Sequence, residues 1–541
     1  MTTPSYAHGA SDVPLLGETI GENLRRTANR VPSREALVVR SQGYRATYQE
    51  LWNTTTALAK ALMARGIEKG DRVAVWSANR YEWVVTQYAT ARIGAILVNI
   101  NPAYKSRELE YALNQSGSRL LLLSRGFRQT DYITLLNEVR DRCHALEESL
   151  VFEHQWSDLL TESDGASVTD IDLAHRESLL NFDDPINIQY TSGTTGAPKG
   201  AMLSHHNILN NGFFCGEILG YSDVDRVCVP VPFYHCFGMV IGNLACTSHG
   251  ACIVVPGEAF NAGDTLATVE AERCTSLYGV PTMFIAQLSH PDFETIDLST
   301  LRTGVMAGSP CPVEVMRQVR ERMHMHEITI CYGMTETSPV STQTRVDDPV
   351  ERRVGSVGRV HPHVEVKIVD PDLGHVTPCN VVGELCTRGY VVMLGYWNNT
   401  DATTSAIDSG RWMHTGDLAT MDNEGYVSIV GRIKDMIIRG GENIYPREVE
   451  EFLYSHPAVE DAQVIGIPSE KYGEEVMAWI KVKRGSSVSA DALQAFCKGQ
   501  IATYKIPHFW KLVDSFPMTV TGKIQKFRMR ELSVEELGRQ P

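Results

Sequence analysis

The sequence lacks paired cysteines, a membrane-length apolar run and an excess of positive charge, and each absence removes a class of function. Its twelve cysteines are scattered with no Cys-x-x-Cys pair. That argues against a disulfide scaffold or a zinc ribbon and for reduced, mostly buried thiols. No stretch approaches the roughly 20 apolar residues needed to span a bilayer. The opening MTTPSYAHGASDVPLLGE has no basic start followed by an apolar core, so no secretory leader and no transmembrane segment are expected, and the location expected is cytoplasmic. The formal charge of −15 leaves no general basic face for neutralising phosphates, so no nucleic-acid partner is expected. A local positive site for a small anion stays compatible with that charge. There is no internal repeat and no long low-complexity segment.

What is present is ample core material. A chain of 541 residues with 43% hydrophobic content is too long for one compact core and predicts at least two domains. Over 71–124 the pattern predicts strand, helix, strand, helix, strand. DRVAVWS is a β-rich run; Tyr81, Val84, Val85 and Tyr88 recur at helical spacing; Gly94 is a helix stop; AILVNIN and RLLLLS flank a helix around Leu109, Ala112 and Leu113. Such alternation implies parallel strands covered by helices, and it returns near 250–256, 275–279 and 302–307. From about 353 to 430, short runs such as VEVKIVD, GELCTRG and GYVSIVG alternate with turn residues and predict a β-rich subdomain. A boundary is expected at 431–434. Beyond it, Pro446 opens a helix carrying Val449, Phe452 and Leu453, AQVIGIP and VMAWIKVKRG read as strands, and 489–500 reads as a helix.

The sharpest local signal is YTSGTTGAPKG, Tyr190 to Gly200, following the strand-like NIQY. Its glycines let backbone N–H groups converge on an anion, and its hydroxyls and lysine add donors and positive charge, which suits a polyphosphate. It is not a GxxxxGK[ST] loop: five residues after Gly193 stands Pro198, and Gly200 follows Lys199. A kinase or GTPase mechanism is therefore not supported.

This loop resembles the phosphate-binding signature of the adenylate-forming superfamily, which includes acyl-CoA synthetases, peptide-synthetase adenylation domains and beetle luciferases. Further family motifs follow in order: PFYHCFGM at 232–239, YGMTETSP at 332–339, HTGDLA at 414–419, GYVSIVGRIKDMIIRGGENIYPREVE at 425–450 and PMTVTGKIQK at 517–526. The resemblance covers the chain from about residue 20 and is closest to the fatty-acyl branch, particularly medium-chain acyl-CoA synthetases. It implies an α/β fold: a large N-terminal domain of packed sheets and helices with a β-barrel-like part (1–431), and a small mobile α+β C-terminal domain (432–541) hinged at Lys434.

The resemblance also implies roles. Glu336 matches the magnesium ligand, Thr335 an α-phosphate contact and Tyr332 the residue beside adenine. Thr191, Ser192, Gly193, Thr194, Thr195, Gly196 and Lys199 would cradle phosphate. Gly308, Ser309, Pro310 and Gly333 would line the nucleotide and acid sites, the latter together with 232–239 and Val280–Phe284. Asp417 would accept both ribose hydroxyls, a task for which a carboxylate offers two acceptor oxygens. Ile429 and Arg432 would join it. Lys523 matches the catalytic lysine, a compact charge able to bridge carboxylate and phosphate as negative charge builds. Gly440 and Gly441 would line the pantetheine tunnel. His235 would orient the acid carboxylate; domains activating α-amino acids usually carry an aspartate there, so histidine favours a plain acid.

The implied partners are ATP, Mg2+, coenzyme A and a small carboxylic acid; a homo-oligomer is compatible with the sequence. The reaction implied is formation of an acyl-AMP with pyrophosphate release, then acyl transfer to CoA. The alternative is an acyl-AMP ligase loading a carrier protein. A luciferase-like oxygenase and a non-catalytic nucleotide sensor are weaker readings. The intact phosphate loop, Glu336, Asp417, Arg432 and Lys523 argue against the sensor.

Overall fold

In the computed structural model the described residues are 3–161, 168–191, 198–309, 311–440, 442–519 and 524–538. They form two compact units: a larger one of Ala7–Val366 and Thr387–His414, and a smaller one of Met1–Tyr6, Lys367–Cys386 and Thr415–Pro541.

Among the described residues the larger unit contains two large sheets, besides the short pair Gly126–Phe127 and Thr130–Asp131. One has seven strands in the order Gly395–Tyr396, Lys199–Ser204, Pro185–Thr191, Ile96–Ile100, Arg72–Trp76, Leu120–Leu123, Glu148–Val151. Its centre is parallel, as the alternation of 71–124 predicts. The helix Tyr81–Ile93 is buried along almost its entire length and ends at Gly94, whose φ of +73° is the left-handed C-cap anticipated from the sequence. Val98, Ile100, Leu121, Leu123 and Ile188 carry one face of this sheet into a core completed by Leu109 and Leu113 of the helix Ser106–Ser116 and by Tyr132 and Leu136. Each fully buried aliphatic side chain there contributes about 1.5–3 kcal/mol of transfer free energy.

The second sheet has nine strands. Its order is Arg359–Val360, Val340–Gln343, Glu327–Gly333, Thr303–Ala307, Ser276–Gly279, Arg226–Cys228, Cys252–Val255, Glu35–Val39 and Tyr44–Thr47. The strands from Glu327–Gly333 to Glu35–Val39 are parallel, and antiparallel strands close both edges. The helices Ala262–Ala271, Pro281–Leu288 and Val313–Arg322 cover it through Leu266, Phe284 and Met316.

The smaller unit has most of the β-rich region read from 353–430, in which Val364–Val369, Gly383–Gly389, Met413–Met421 and Val427–Arg432 lie side by side in that order. Its α+β module is a second sheet, Glu442–Ile444, Ile437–Arg439, Gly473–Val482 and Val459–Ser469 in order, with Phe509–Val513 parallel to Gly473–Val482. The helix Pro446–Tyr454 starts with Pro at its first turn and buries Val449 and Leu453 against that sheet, together with Leu493 of Ala490–Cys497.

No cysteine forms a disulfide, and all but Cys379 are buried. Among the described residues no helix is long and apolar enough to cross a membrane.

Candidate active site

In the larger unit, the strand Pro185–Thr191 and the strand Lys199–Ser204 pair antiparallel, with Thr191 opposite Lys199 and Tyr190 opposite Gly200. Ser192, Gly193, Thr194, Thr195 and Gly196, expected from the sequence to cradle phosphate, follow Thr191 in the chain and lie outside the described residues. The sheet thus fixes both stems of the loop, and its hydroxyl Thr191 and its ammonium Lys199 belong to adjacent strands.

Glu336 is brought to the same place from the other sheet. It lies in the short 3-10 turn Thr335–Thr337 that follows the strand Glu327–Gly333, and it is 5% exposed. Thr191 Oγ1 donates to its Oε1 at 3.2 Å. The Tyr396 hydroxyl donates to the same oxygen at 2.8 Å. Among the described residues no lysine, arginine or histidine forms an ion pair with Glu336, and no hydrogen bond reaches its Oε2. A buried carboxylate without a cation is costly to desolvate, so two neutral donors on one oxygen leave this group short of positive charge. A hard divalent cation with oxygen ligands fits that donor set. Lys199 does not supply the charge; its Nζ stands 5.2 Å from the centroid of the Tyr396 ring. Burial, and next the charge of Glu336, push the Tyr396 phenol well above its usual range, so it stays a donor.

Gly333, between Tyr332 and the glutamate, has no room for a side chain: a Cβ would come within 1.8 Å of the Pro339 carbonyl oxygen. The backbones must approach this closely for the strand to turn into the Thr335–Thr337 segment. Thr335 is buried and Tyr332 half-buried.

The segment PFYHCFGM leads into a feature absent from the sequence reading, a π-helix over Phe237–Leu244 whose residues are all buried. Such i→i+5 segments are rare and concentrate at functional sites. The apolar run FGMVIGNL has no pattern that separates it from an α-helix. His235 is half-buried at its entrance. Its Nδ1 accepts the Phe237 N–H at 3.2 Å, which leaves the proton of the neutral ring on Nε2, the form that donates to a carboxylate. The neighbouring Cys236 thiol donates to Gln189 Oε1 at 3.0 Å. Burial, and next the charge of Glu336, push that thiol up, so it is no nucleophile. Gly308 ends the strand Thr303–Ala307 against Val280, whose Cγ1 would lie 3.2 Å from a Cβ there. Ser309 follows it half-buried, and Pro310 lies outside the described residues.

In the smaller unit, Asp417 and Arg432 are direct partners across the antiparallel strands Met413–Met421 and Val427–Arg432. Arg432 Nε lies 3.2 Å from Asp417 Oδ1, and Asp417 N–H donates to Thr415 Oγ1 at 3.1 Å. Ile429 is on the same strand as Arg432, and its carbonyl accepts from the Arg447 guanidinium at 2.9 Å. Lys434 lies in the turn Ile433–Asp435; burial, and next the charge of Arg432, hold its ammonium below the usual lysine range. Gly440, φ +62°, donates its N–H to the Tyr472 carbonyl at 2.8 Å. Gly441 and Lys523 lie outside the described residues.

The structure therefore brings Thr191, Lys199 and Glu336 together in one unit and Asp417 and Arg432 together in the other. Tyr396 is the contributor that the sequence reading missed. Its only sequence signal is an aromatic residue after Gly395 in a turn-rich stretch; its part in the site comes from strand pairing.

Comparison with known proteins shows the family. The AMP-binding enzyme model matches residues 24–397, and the AMP-binding enzyme C-terminal domain model matches 448–523. The putative acyl-CoA synthetase YngI of Bacillus subtilis is 50% identical, over 96% of this chain and 98% of its own. The mitochondrial medium-chain acyl-CoA ligase ACSF2 of Danio rerio is 42% identical over 99% of this chain and 92% of its own. Among solved structures, the anthranilate CoA ligase AuaEII in complex with anthranoyl-AMP matches with a TM-score of 0.85 at 28% identity, covering 98% of this chain and 99% of that one. ATP-bound MatB from Rhodopseudomonas palustris matches with a TM-score of 0.85 at 28% identity, covering 96% and 99%.

Proposed function

The chain belongs to the AMP-binding enzyme family, and from that premise we propose how its residues divide the reaction and which acid they serve. It is an ATP-dependent acyl-CoA synthetase, an acid–thiol ligase using ATP, Mg2+ and CoA. In the first half-reaction a carboxylate oxygen attacks the α-phosphorus of ATP, forming the acyl-AMP and expelling pyrophosphate. In the second, the CoA sulfur attacks the acyl carbonyl, its proton leaves, and AMP departs. The acid is a fatty acid of medium chain length, in keeping with the ACSF2 relatives named for that activity.

The observation that carries the site assignment is Glu336, a buried carboxylate held by two hydroxyls with no cationic partner among the described residues. Magnesium held there would offset the charge of the phosphate oxygens that repel the incoming carboxylate. Thr191, Lys199 and the loop between them bind phosphate oxygens. Thr335 contacts the α-phosphate, and Tyr332 stacks by adenine. His235, with its proton on Nε2, orients the acid. Asp417 accepts the ribose hydroxyls with Arg432 beside it. Lys523 stabilises the charge that builds during adenylation, and a C-terminal domain beginning near 432 turns about Lys434 so that pantetheine reaches the carbonyl past Gly440 and Gly441. We also assign the enzyme to the cytoplasm, an assignment that cell fractionation would test.

The first experiment is pyrophosphate release across a chain-length series of acids, with and without CoA, with products read by mass. An acyl-CoA product peaking at medium length is expected. Acyl-AMP accumulating without thioester would move the assignment to a carrier-protein ligase. Lys523→Ala is expected to cripple adenylate formation yet largely spare thioester formation from supplied acyl-AMP; equal loss of both steps would remove the division of labour.

A further inference from the structure

Tyr396 touches both charged groups at the phosphate end of the larger unit, and neither contact is incidental to its placement. The strand Gly395–Tyr396 pairs antiparallel with Lys199–Ser204, Tyr396 opposite Ala201. The Tyr396 N–H donates to Thr403 Oγ1 at 2.9 Å, and that hydroxyl donates to the Asn399 carbonyl at 2.8 Å. The ring is thus held by the same sheet edge that carries Lys199. Its hydroxyl reaches Glu336 Oε1 at 2.8 Å, and its face lies 5.2 Å from Lys199 Nζ.

We propose that Tyr396 is a positioning residue for the metal–triphosphate, holding Glu336 by one oxygen so that the other is free for the metal, and standing between Glu336 and Lys199 so that the two do not neutralise each other. The proposal rests on the reading of Glu336 as the metal ligand. A glutamate carboxylate turns easily about its last torsion. Tyr396 donates to Oε1 at 2.8 Å and Thr191, whose hydroxyl also reaches the Lys199 carbonyl at 3.4 Å, at 3.2 Å, so that rotation is opposed, and Oε2 accepts no hydrogen bond among the described residues. A lysine and a glutamate at the ends of flexible chains would otherwise pair, leaving the cation unable to meet phosphate and the anion unable to meet metal. No Lys199–Glu336 ion pair is present, and the aromatic face offers the ammonium a weaker, exchangeable partner.

The two functions of the side chain separate by substitution. Tyr396→Phe removes the hydroxyl and keeps the ring; Tyr396→Leu removes both. The readout is equilibrium binding of Mn2+·ATP, followed by the spin resonance of free Mn2+, beside calorimetric binding of metal-free ATP in chelator. For Tyr396→Phe, Mn2+·ATP affinity is expected to fall about tenfold, the loss typical of removing a residue that orients a metal ligand, with metal-free ATP binding unchanged. For Tyr396→Leu, metal-free ATP binding is expected to weaken as well, by about threefold, because Lys199 then pairs with Glu336 and phosphate must displace that ion pair. Glu336→Gln is the control. If it weakens Mn2+·ATP and Tyr396→Phe binds like the wild type, the proposal is overturned while the metal reading stands. If Glu336→Gln itself binds like the wild type, the metal reading fails and takes the proposal with it. A Tyr396→Phe protein that loses both affinities equally assigns the hydroxyl to the fold and overturns the proposal; a Tyr396→Leu protein with unchanged metal-free ATP binding overturns its second half.

Discussion

Glu336 and Asp417 are two carboxylates in one chain, prepared in opposite ways. Glu336, in the larger unit, is 5% exposed, is held by two hydroxyl donors on a single oxygen and has no ion-pair partner among the described residues. Asp417, in the smaller unit, already has its cation: Arg432 is its cross-strand neighbour at 3.2 Å. The first site is short of positive charge and so is suited to import it. The second is charge-balanced within the chain itself. Side-chain type alone does not distinguish them; what the surrounding fold supplies does.

The largest effect should come from removing the charge that makes Glu336 different. Glu336→Gln keeps the shape and is expected to lower adenylation, measured as pyrophosphate exchange, by about 100- to 1,000-fold, the range for losing an electrostatic contributor at the reacting centre. A loss below tenfold would mean that the site does not need an anion there. Next is Asp417→Asn, which leaves Arg432 without its partner. The KM for ATP should rise about tenfold, as for a lost hydrogen bond to a charged group, with the KM for the acid unchanged. An equal rise in both would deny Asp417 a nucleotide-specific part.

Smaller effects should separate the two units by their response to acid. His205, fully buried in the larger unit, accepts the Ile20 N–H on Nδ1, and burial pushes its imidazole down from 6.5 to about 3. Between those values only the unfolded chain binds a proton. The contribution of His205 is therefore complete above pH 6.5 and is lost as pH falls toward 3, at up to about 1.4 kcal/mol per pH unit. His205→Asn should flatten that slope in urea unfolding. In the smaller unit the sign reverses: burial raises Asp461, which accepts hydrogen bonds from Tyr454 and Gln463. Its folded form keeps a proton that the unfolded chain has lost, so its contribution is present below the unfolded carboxylate value and is lost as pH rises through the folded one. Asp461→Asn should remove that weaker dependence, read by the fluorescence of Trp479. A slope that stays the same in either variant would assign it to other groups.

Much of the fold was legible because its signals are local and periodic. The strands and helices of 71–124 follow from apolar spacing, Gly94 stops its helix where a left-handed residue is needed, and Pro446 opens one where a missing N–H costs nothing. The π-helix over Phe237–Leu244 was not legible, since an apolar run buried on all sides has no phase to read. Glu336 was singled out by motif. That it is buried, shares one oxygen between Thr191 and Tyr396 and has no ion-pair partner among the described residues could not be read from spacing, because Thr191 is 145 positions away and Tyr396 is 60.

By itself, then, the amino-acid sequence determined the family and the order of most elements, because these depend on residue type within short windows. Tertiary structure alone decided which groups face each other: Tyr396 between a lysine and a glutamate, Arg432 against Asp417, an imidazole held without its proton. Those pairings depend on strand register and on burial, and both are set by contacts between distant segments that no local pattern encodes.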